Sequence, residues 1–216
     1  MTDAGRPATA QEYVLAHLRQ AIISRELEPG AAIRQDALAE RLGTSRVPLR
    51  EALKILEGEG QVVYHPHRGY FVAELSIADL LEVYRIRELL EAEAVRAAVP
   101  RIDDEELALI KAALKRTEAA GKAGDITELT TANREFHFRI FEASELPRLV
   151  RMIRLLWDST DAYRSVYFAE PKNRREVDAE HRAILKALEA KQVKQVVSLL
   201  HAHRSHAVER LRELLD

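Results

Sequence analysis

The stretch LAERLGTSRVPLREALKIL, residues 38–56, decides the fold of the first part of this 216-residue chain. Its first five residues carry an apolar face of helical spacing, and Gly43 follows where a helix ends and the chain turns. Thr44 and Ser45 are expected to cap the free N–H groups of a second helix. The pattern predicts two short helices joined by a tight turn, which is typical of a DNA-binding module.

The second helix separates an apolar face from a cationic one. Its inward positions are predicted to be Leu49, Ala52, Leu53 and Leu56. Arg46, Arg50 and Lys54 follow one another at i, i+4 and i+8 on another side, where they can meet phosphates or base edges. Arg46 and Arg50 project from the entrance of this helix and are the main candidates for DNA contacts.

The flanking segments complete a winged helix. Upstream, apolar residues recur at helical spacing before Pro29-Gly30 breaks the chain, namely Tyr13, Leu15, Leu18, Ile22 and Ile23. Downstream, two β-prone runs at 62–64 and 70–72 enclose a short loop with a basic tip, which predicts a hairpin. The predicted DNA contacts are Arg34, Thr44, Ser45, Arg46, Arg50, His67, Arg68 and Gly69, with Ser45 mainly a cap and Arg34 mainly a phosphate contact.

The ordered motifs LEPG, LAERLGTSRVPLREAL and HRGYFV closely resemble the N-terminal domain of the GntR family of bacterial transcription regulators, over about residues 9–73. The alternative interpretation is a plain helical hairpin whose arginines form a solvated face. Because a hairpin does not need a wing, the sequence favours DNA binding.

Composition bounds the rest of the chain. The chain has no cysteine, which excludes disulfides and thiolate metal ligands, and 47% of its residues are hydrophobic. The sequence shows no apolar segment near its N-terminus of the kind that directs export, so we expect a cytoplasmic protein. The formal charge of −2 means that DNA binding must depend on locally placed cations. Two domains are predicted, 1–73 and 74–216.

The second domain is predicted to be an all-α antiparallel bundle, so that the whole chain is mainly α. Ser76 is a plausible N-cap for its first helix. Six helices are expected, near 77–99, 103–120, 126–143, 146–169, 172–190 and 192–215.

Polar side chains interrupt the apolar stripes of three of these helices. Asn133 and His137 lie one turn apart on the third, His181 lies on the fifth, and His203 on the sixth. If the last two helices fold back near Lys191, His181 and His203 lie at similar depths, so their imidazoles can meet. A shared divalent cation would satisfy several buried imidazoles at once, although for any single histidine a hydrogen-bonded core role is the commoner explanation.

Two other histidines serve as controls for this argument. His201 is rotated about 200° from His203 and should face solvent. His206 lies about 60° from it, on the margin of the stripe, where a secondary contact stays open.

The segments NREFH, EHRAIL and AHRSH resemble the FCD domain, the C-terminal half of FadR-type GntR regulators, over about residues 77–215. Six helices resemble its VanR branch. The resemblance implies a divalent metal, with zinc, nickel or manganese possible, whose ligands map to Asn133, His137, His181 and His203. Asn133 replaces the aspartate of the family and brings no charge.

Arg87 falls on the inward stripe of the first bundle helix, within YRIRELLE. One interpretation is a salt bridge with Glu91, one turn away, of a kind that is common and weak on surfaces. The other is a clamp for a ligand carboxylate, which the matching arginine of the family is thought to provide. The sequence leaves both open.

These features predict a ligand-responsive transcription regulator that binds a palindromic operator as a homodimer and senses a small carboxylate beside the metal. Repression relieved by the ligand is the commoner logic of the family. Two rivals are a metal-dependent enzyme acting on a small organic acid and a protein-binding module whose histidines fill the core. The enzyme lacks an evident general base and leaves the N-terminal half unused.

Overall fold

The structure, a computed structural model, describes residues 9–215. The chain forms two compact units that divide between Glu74 and Leu75. Among residues 9–215, no helix combines the length and the apolar composition needed to cross a membrane.

The first unit contains three helices and a hairpin. Its elements are α1 (Ala10–Ile23), α2 (Gln35–Arg41), α3 (Arg46–Gly58), β1 (Val62–His65) and β2 (Gly69–Val72). The two strands are antiparallel, with Val62 opposite Val72 and His65 opposite Gly69. The segment before α2 adds one further bridge, from Ala32 to Phe71. This is the predicted winged helix-turn-helix.

Helix α3 packs the predicted apolar face into the core of this unit. Leu49, Ala52, Leu53 and Leu56 are each 0% exposed. Gly43 has a φ of +61°, a left-handed conformation in which glycine avoids the strain of a Cβ. Two local predictions are wrong. Ser45 occupies the N-cap of α3 without a side-chain hydrogen bond, and α1 buries Val14 while Tyr13 is exposed.

The second unit is a bundle of seven helices. They are α4 (Ile77–Ala98), α5 (Asp104–Ala123), α6 (Ile126–Glu142), α7 (Pro147–Asp158), α8 (Asp161–Ala169), α9 (Pro171–Glu189) and α10 (Val193–Leu215). The all-α class is confirmed, but the prediction of six helices is wrong, because residues 146–169 form two helices. A bundle of seven helices does not support the resemblance to the VanR branch, which rested on six.

Hydroxyl groups explain the break between α7 and α8. Ser159 Oγ donates to the carbonyl of Leu156, and Thr160 Oγ1 lies 3.1 Å from the carbonyl of Trp157. The Arg164 guanidinium also donates to the Trp157 carbonyl. Side chains therefore occupy carbonyls that a continuing helix would offer to its next amides, and the helix ends there.

Candidate functional site

The first candidate site is the cationic surface of α3. Arg46, Arg50 and Lys54 are exposed, as their spacing predicts. The Arg46 side chain is 70% exposed and pairs with Asp36 of α2. Val47, which lies between the two arginines in the sequence, is 64% exposed. Helix α3 thus presents two guanidiniums and an isopropyl group to solvent.

The wing presents a second basic element. His67 has a φ of +63° and Gly69 a φ of +88°, so the tip turns sharply. Arg68 is exposed, and its guanidinium lies 5.1 Å from the centre of the Phe71 ring. The ring holds the cation at the tip while leaving its N–H groups available to an anion.

Backbone pairing joins the wing to the start of α2. The amide of Ile33 donates to the Tyr70 carbonyl at 2.8 Å, which places the exposed Arg34 next to β2. Thr44 is half-buried and Ser45 is exposed, both in the turn before α3. The predicted DNA contacts therefore lie on α3, on the turn before it, and on the wing with its neighbouring strand.

The second candidate site is a cluster of three histidines in the helical unit. His137 of α6, His181 of α9 and His203 of α10 have ring centres 5.0–5.2 Å apart. One nitrogen from each ring lies within 4.8 Å of the others. The Nε2 atoms of His137 and His181 are 3.2 Å apart. Three helices thus send imidazole to one point, as the stripes predict.

The charge state of His137 and His181 favours metal binding over proton binding. His137 and His181 are 2% and 0% exposed. Burial, assisted by the neighbouring imidazoles, holds the pKa of both rings well below 6.5. Both rings are neutral at neutral pH, and a neutral imidazole has a lone pair for a metal.

Glu180 fixes the orientation of the third ring. The Nδ1–H of His203 donates to Glu180 Oε2 at 2.6 Å. Because Nδ1 carries the proton, Nε2 keeps its lone pair. The hydrogen bond from His203 also contributes to lowering the Glu180 pKa, against the opposing effect of burial.

Asn133 supplies an oxygen next to the cluster. It is 3% exposed and lies one turn before His137. Among residues 9–215, its Oδ1 has no hydrogen-bond partner, and the same is true of Nδ1 in His137 and His181. Ligands about 2.0–2.1 Å from one tetrahedral ion stand about 3.3 Å apart, close to the 3.2 Å between the two Nε2 atoms. The residues present therefore fit a divalent metal.

The two control histidines lie outside the cluster. His201 is exposed and pairs with Glu88 at 3.0 Å. His206 is also exposed, but its Nδ1 lies 2.5 Å from Glu180 Oε1. His206 thus touches the carboxylate that orients His203, and this hydrogen bond raises the pKa of His206.

A buried ionic network adjoins the histidines. Arg87 Nε donates to Glu91 Oε1 at 2.8 Å, and Trp157 Nε1 donates to the same oxygen at 2.7 Å. Arg204 donates to the other oxygen, Oε2, at 2.5 Å. Although burial alone would raise the Glu91 pKa, the two arginines lower it, so Glu91 is ionised. The salt-bridge interpretation of Arg87 is confirmed, but the pair is buried.

A small cavity lies where the network meets the histidines. It measures about 30 Å³, and its walls include Arg87, Asn133, His203 and Arg204. We call it the inner cavity. The structure therefore brings together the predicted metal ligands and the predicted carboxylate clamp.

The sequence did not predict the roles of three residues in these sites, which are Arg204, Glu180 and Val47. Arg204 lies four residues after the buried Leu200, so its helical spacing was a usable signal that its charge concealed. Glu180 precedes His181, and nothing in the spacing of α9 marks it as a partner of α10. Val47 was given no role.

The winged helix with exposed arginines and the separate helical bundle define a DNA-binding transcription regulator. Residues 10–72 match the bacterial regulatory proteins of the gntR family, and residues 82–206 match the FCD domain. The chain belongs to the GntR family and carries its FCD domain.

Relatives agree with this assignment over most of the chain. The Nta operon transcriptional regulator of Aminobacter aminovorans is 29% identical over 195 residues, 89% of this chain and 90% of that protein. McbR of Escherichia coli K12 is 36% identical over 131 residues, 61% of this chain and 59% of that protein. These relatives are regulators and not enzymes, which confirms the choice against an enzyme.

Solved structures agree as well. The structure of E. coli McbR/YncC superposes with a TM-score of 0.86 at 28% identity, covering 97% of this chain and 100% of that chain. A GntR regulator from Rhodococcus sp. RHA1 has a TM-score of 0.82 at 24% identity, covering 95% and 99%, and shows the shared fold.

Proposed function

We propose that this regulator is a homodimeric repressor whose operator affinity is controlled by a small carboxylate bound beside a divalent metal. The observation that carries the proposal is that three imidazoles converge on one point beside the inner cavity. The walls of that cavity include one of them, His203, together with the buried Asn133 and three buried arginines. A helical core built only for stability would not need to gather so many polar groups.

His137, His181 and His203 would hold the metal, with Asn133 as a further oxygen donor. When bound, a divalent cation supplies a Lewis-acid centre that attracts a carboxylate oxygen. Neutral rings and a neutral amide leave the whole positive charge of the ion uncompensated by its ligands. A site of this kind favours an anionic effector.

Arg87 would contribute to holding that anion. It lies in the wall of the inner cavity, and its guanidinium rests 4.3 Å from the Trp157 ring and 4.6 Å from the Tyr84 ring. The rings fix its position, so it provides a preorganised positive charge.

On the DNA side, Arg46 and Arg50 would enter the major groove and Arg68 the adjoining minor groove. Val47 would lie beside Arg50 on the exposed surface of α3, where its methyl groups suit the C5-methyl of thymine. Thr44, Ser45, Arg34, His67 and Gly69 would contact the phosphate backbone and fix the register.

Two exposed apolar helix faces in the helical unit support a homodimer. Neighbouring helices α4 and α7 expose four large hydrophobic side chains, Ile86, Leu89, Met152 and Leu155. Glu82 and Glu93 accompany them on α4, and Arg148 and Arg151 on α7. A two-fold axis that sets α4 against the partner's α7 would pair opposite charges around an apolar centre.

The dimer is tested by placing a charge in this face. Leu89→Glu should convert the protein to a monomer at micromolar concentration, measured by sedimentation equilibrium, because the buried carboxylate would have no partner. Leu109→Glu, which changes an exposed leucine of α5, should leave the mass unchanged. Equal masses for the two variants would contradict the proposed interface.

A hydrogen-bonded contact would carry the effector signal to the start of α4. The amide of Ser76 donates to the Tyr163 hydroxyl at 2.8 Å, and that hydroxyl lies 3.0 Å from the Ser76 carbonyl. Tyr163 belongs to α8, which also lends Arg164 and Tyr167 to the inner cavity. A change in the cavity that shifts α8 would therefore shift Ser76, which caps α4 and is the second residue of the helical unit.

The decisive experiment measures operator binding with and without metal. The protein is stripped with a chelator and reloaded with zinc, nickel or manganese, and its affinity for its own promoter DNA is measured against a panel of small carboxylates. One of the acids should weaken binding about 5- to 150-fold, and only for the metal-loaded protein. Unchanged affinity across all acids and metals would refute the proposal.

A further inference from the structure

Two cavities in the helical unit meet at Tyr84 and Arg204. One is the inner cavity of about 30 Å³ beside His203. The other, which we call the outer groove, measures about 270 Å³ and opens to solvent between α4 and α10. Tyr84 and Arg204 line both, and they are only 8% and 6% exposed. These two side chains therefore form the wall between the cavities.

The inner cavity alone is too small for the carbon chain of an organic acid. A cavity needs roughly 10–15 Å³ to hold one water molecule, so about 30 Å³ accommodates little more than a carboxylate group. The outer groove, at about 270 Å³, has room for a short organic chain. The body of an effector must therefore lie in the outer groove.

Two arginines donate hydrogen bonds to Glu91, and Arg204 is the less firmly held of the two. Arg87 is held by its bond to Glu91 and by the Trp157 and Tyr84 rings. Arg204 contacts Glu91 through one N–H, and it borders the open groove. If Arg204 turned away, Glu91 would still accept hydrogen bonds from Arg87 and Trp157.

We propose, resting on the proposed function, that the inner cavity and the outer groove are one effector site and that Arg204 is its gate. The effector enters from the α4–α10 side, and Arg204 exchanges the Glu91 carboxylate for that of the effector. Glu91 thus acts as a built-in competitor that keeps Arg204 in place until an acid arrives.

The lining of the outer groove defines the class of ligand. Its outer part carries charges of both signs, Arg85 and Arg212 against Glu88 and Glu209. This balance gives no preference for a second charge on the ligand. Leu81 and Val208 offer apolar surface to its body. The site therefore fits a monocarboxylate with a short uncharged chain.

The first test fills the outer groove. Straight-chain acids from acetate to hexanoate, and their primary amides, are titrated calorimetrically into the zinc-loaded full chain. For the wild type, affinity should rise about fourfold for each methylene buried, and amides should bind at least about tenfold more weakly than acids. Val208→Trp should weaken hexanoate binding at least about tenfold and acetate binding far less. Leu109→Trp, on the exposed side of α5, is the matched control.

The second test removes the internal competitor. Glu91→Gln keeps the shape of the side chain but takes away the charge that holds Arg204, so acids should bind several-fold more tightly than to the wild type. If Glu91 had only a structural role, its replacement would disturb the packing of the site, and acids would bind more weakly than to the wild type. Arg204→Leu should reduce the preference for acids over amides, to the part that the metal and Arg87 supply, and Arg204→Lys should restore part of the loss.

The outcomes separate the two ideas. If no acid binds the wild-type protein, the proposed function and this inference fall together. If acids bind but Val208→Trp behaves like the wild type, the inference alone is wrong. If Glu91→Gln folds and binds acids no more tightly, Glu91 is not a competitor and the gate is refuted. Should Glu91→Gln fail to fold, Val208→Trp still tests the groove and the Arg204 variants still test the gate: an acid preference in Arg204→Leu equal to that of the wild type would refute it.

Discussion

Replacing His181 by alanine tests the histidine cluster most directly. His181 is fully buried, and its Nε2 lies 3.2 Å from that of His137. At a free metal concentration of about 100 Kd, a single metal site stabilises a protein by about 2.7 kcal/mol. A variant with about 100-fold weaker affinity gains only about 0.4 kcal/mol at that concentration. Its metal-induced rise in melting temperature should fall from about 5–10 °C to about 1 °C.

Melting of the chelated and reloaded proteins gives this difference, and elemental analysis gives the metal content. The metal-free variant should itself be less stable by about 2–4 kcal/mol, since truncation leaves a cavity beside Phe136. His201→Ala, at an exposed surface pair, should change stability by less than about 1 kcal/mol and retain the metal. Full metal content in the alanine variants of His137, His181 and His203 alike would refute the site.

Three further predictions concern DNA and pH. Arg46→Ala and Arg50→Ala should each cost about 1–3 kcal/mol in operator affinity by fluorescence titration; unchanged affinity in both would contradict their assignment. Arg68→Ala should weaken binding to operator and mutated operators alike; a loss of preference equal to that of Arg46→Ala would contradict this division. Burial holds the pKa of His137 and His181 well below 6.5. In the folded protein these two rings therefore stay neutral at pH values where the same rings in the unfolded chain take up protons. The free energy of unfolding of the metal-free protein should therefore fall below pH 6.5, by up to about 1.4 kcal/mol per pH unit for each ring; a flat profile in urea would contradict it.

The winged helix was predictable because its signals are local. Gly43 marks the turn, the leucines after it define the buried face of α3, and the loop before Gly69 separates two β-prone runs. Each of these features acts within a few residues. The sequence therefore contains nearly all the information that places Arg46, Arg50 and Arg68 on the surface.

The histidine cluster was predictable for a different reason. Helical spacing fixes which side of a helix faces inward, and a short turn near Lys191 fixes the relative height of two successive helices. These two constraints suffice to bring His181 and His203 together. The position of His137 needed one more condition, that α6 packs in the same core, and its apolar stripe already implied this.

The break at Ser159 and Thr160 could not be read from the apolar pattern, because the stripe of α7 runs on into α8. What ends the helix is a set of hydroxyl and guanidinium bonds to two carbonyls. Serine and threonine occur in many uninterrupted helices. Whether they terminate one depends on a third group, here Arg164, being placed by the fold to hold the same carbonyl.

The Arg87–Glu91 pair shows how burial changes the meaning of a sequence signal. As a surface pair at i, i+4 it would contribute about 0.3–0.5 kcal/mol, and its loss would go unnoticed. Buried with Arg204 and Trp157, the pair cannot lose the Glu91 side chain without leaving two guanidiniums without their carboxylate, at a cost of about 3–5 kcal/mol. Spacing reveals that the two residues can meet. Only the packing of α7 and α10 around them determines that both belong to one charged wall of a cavity.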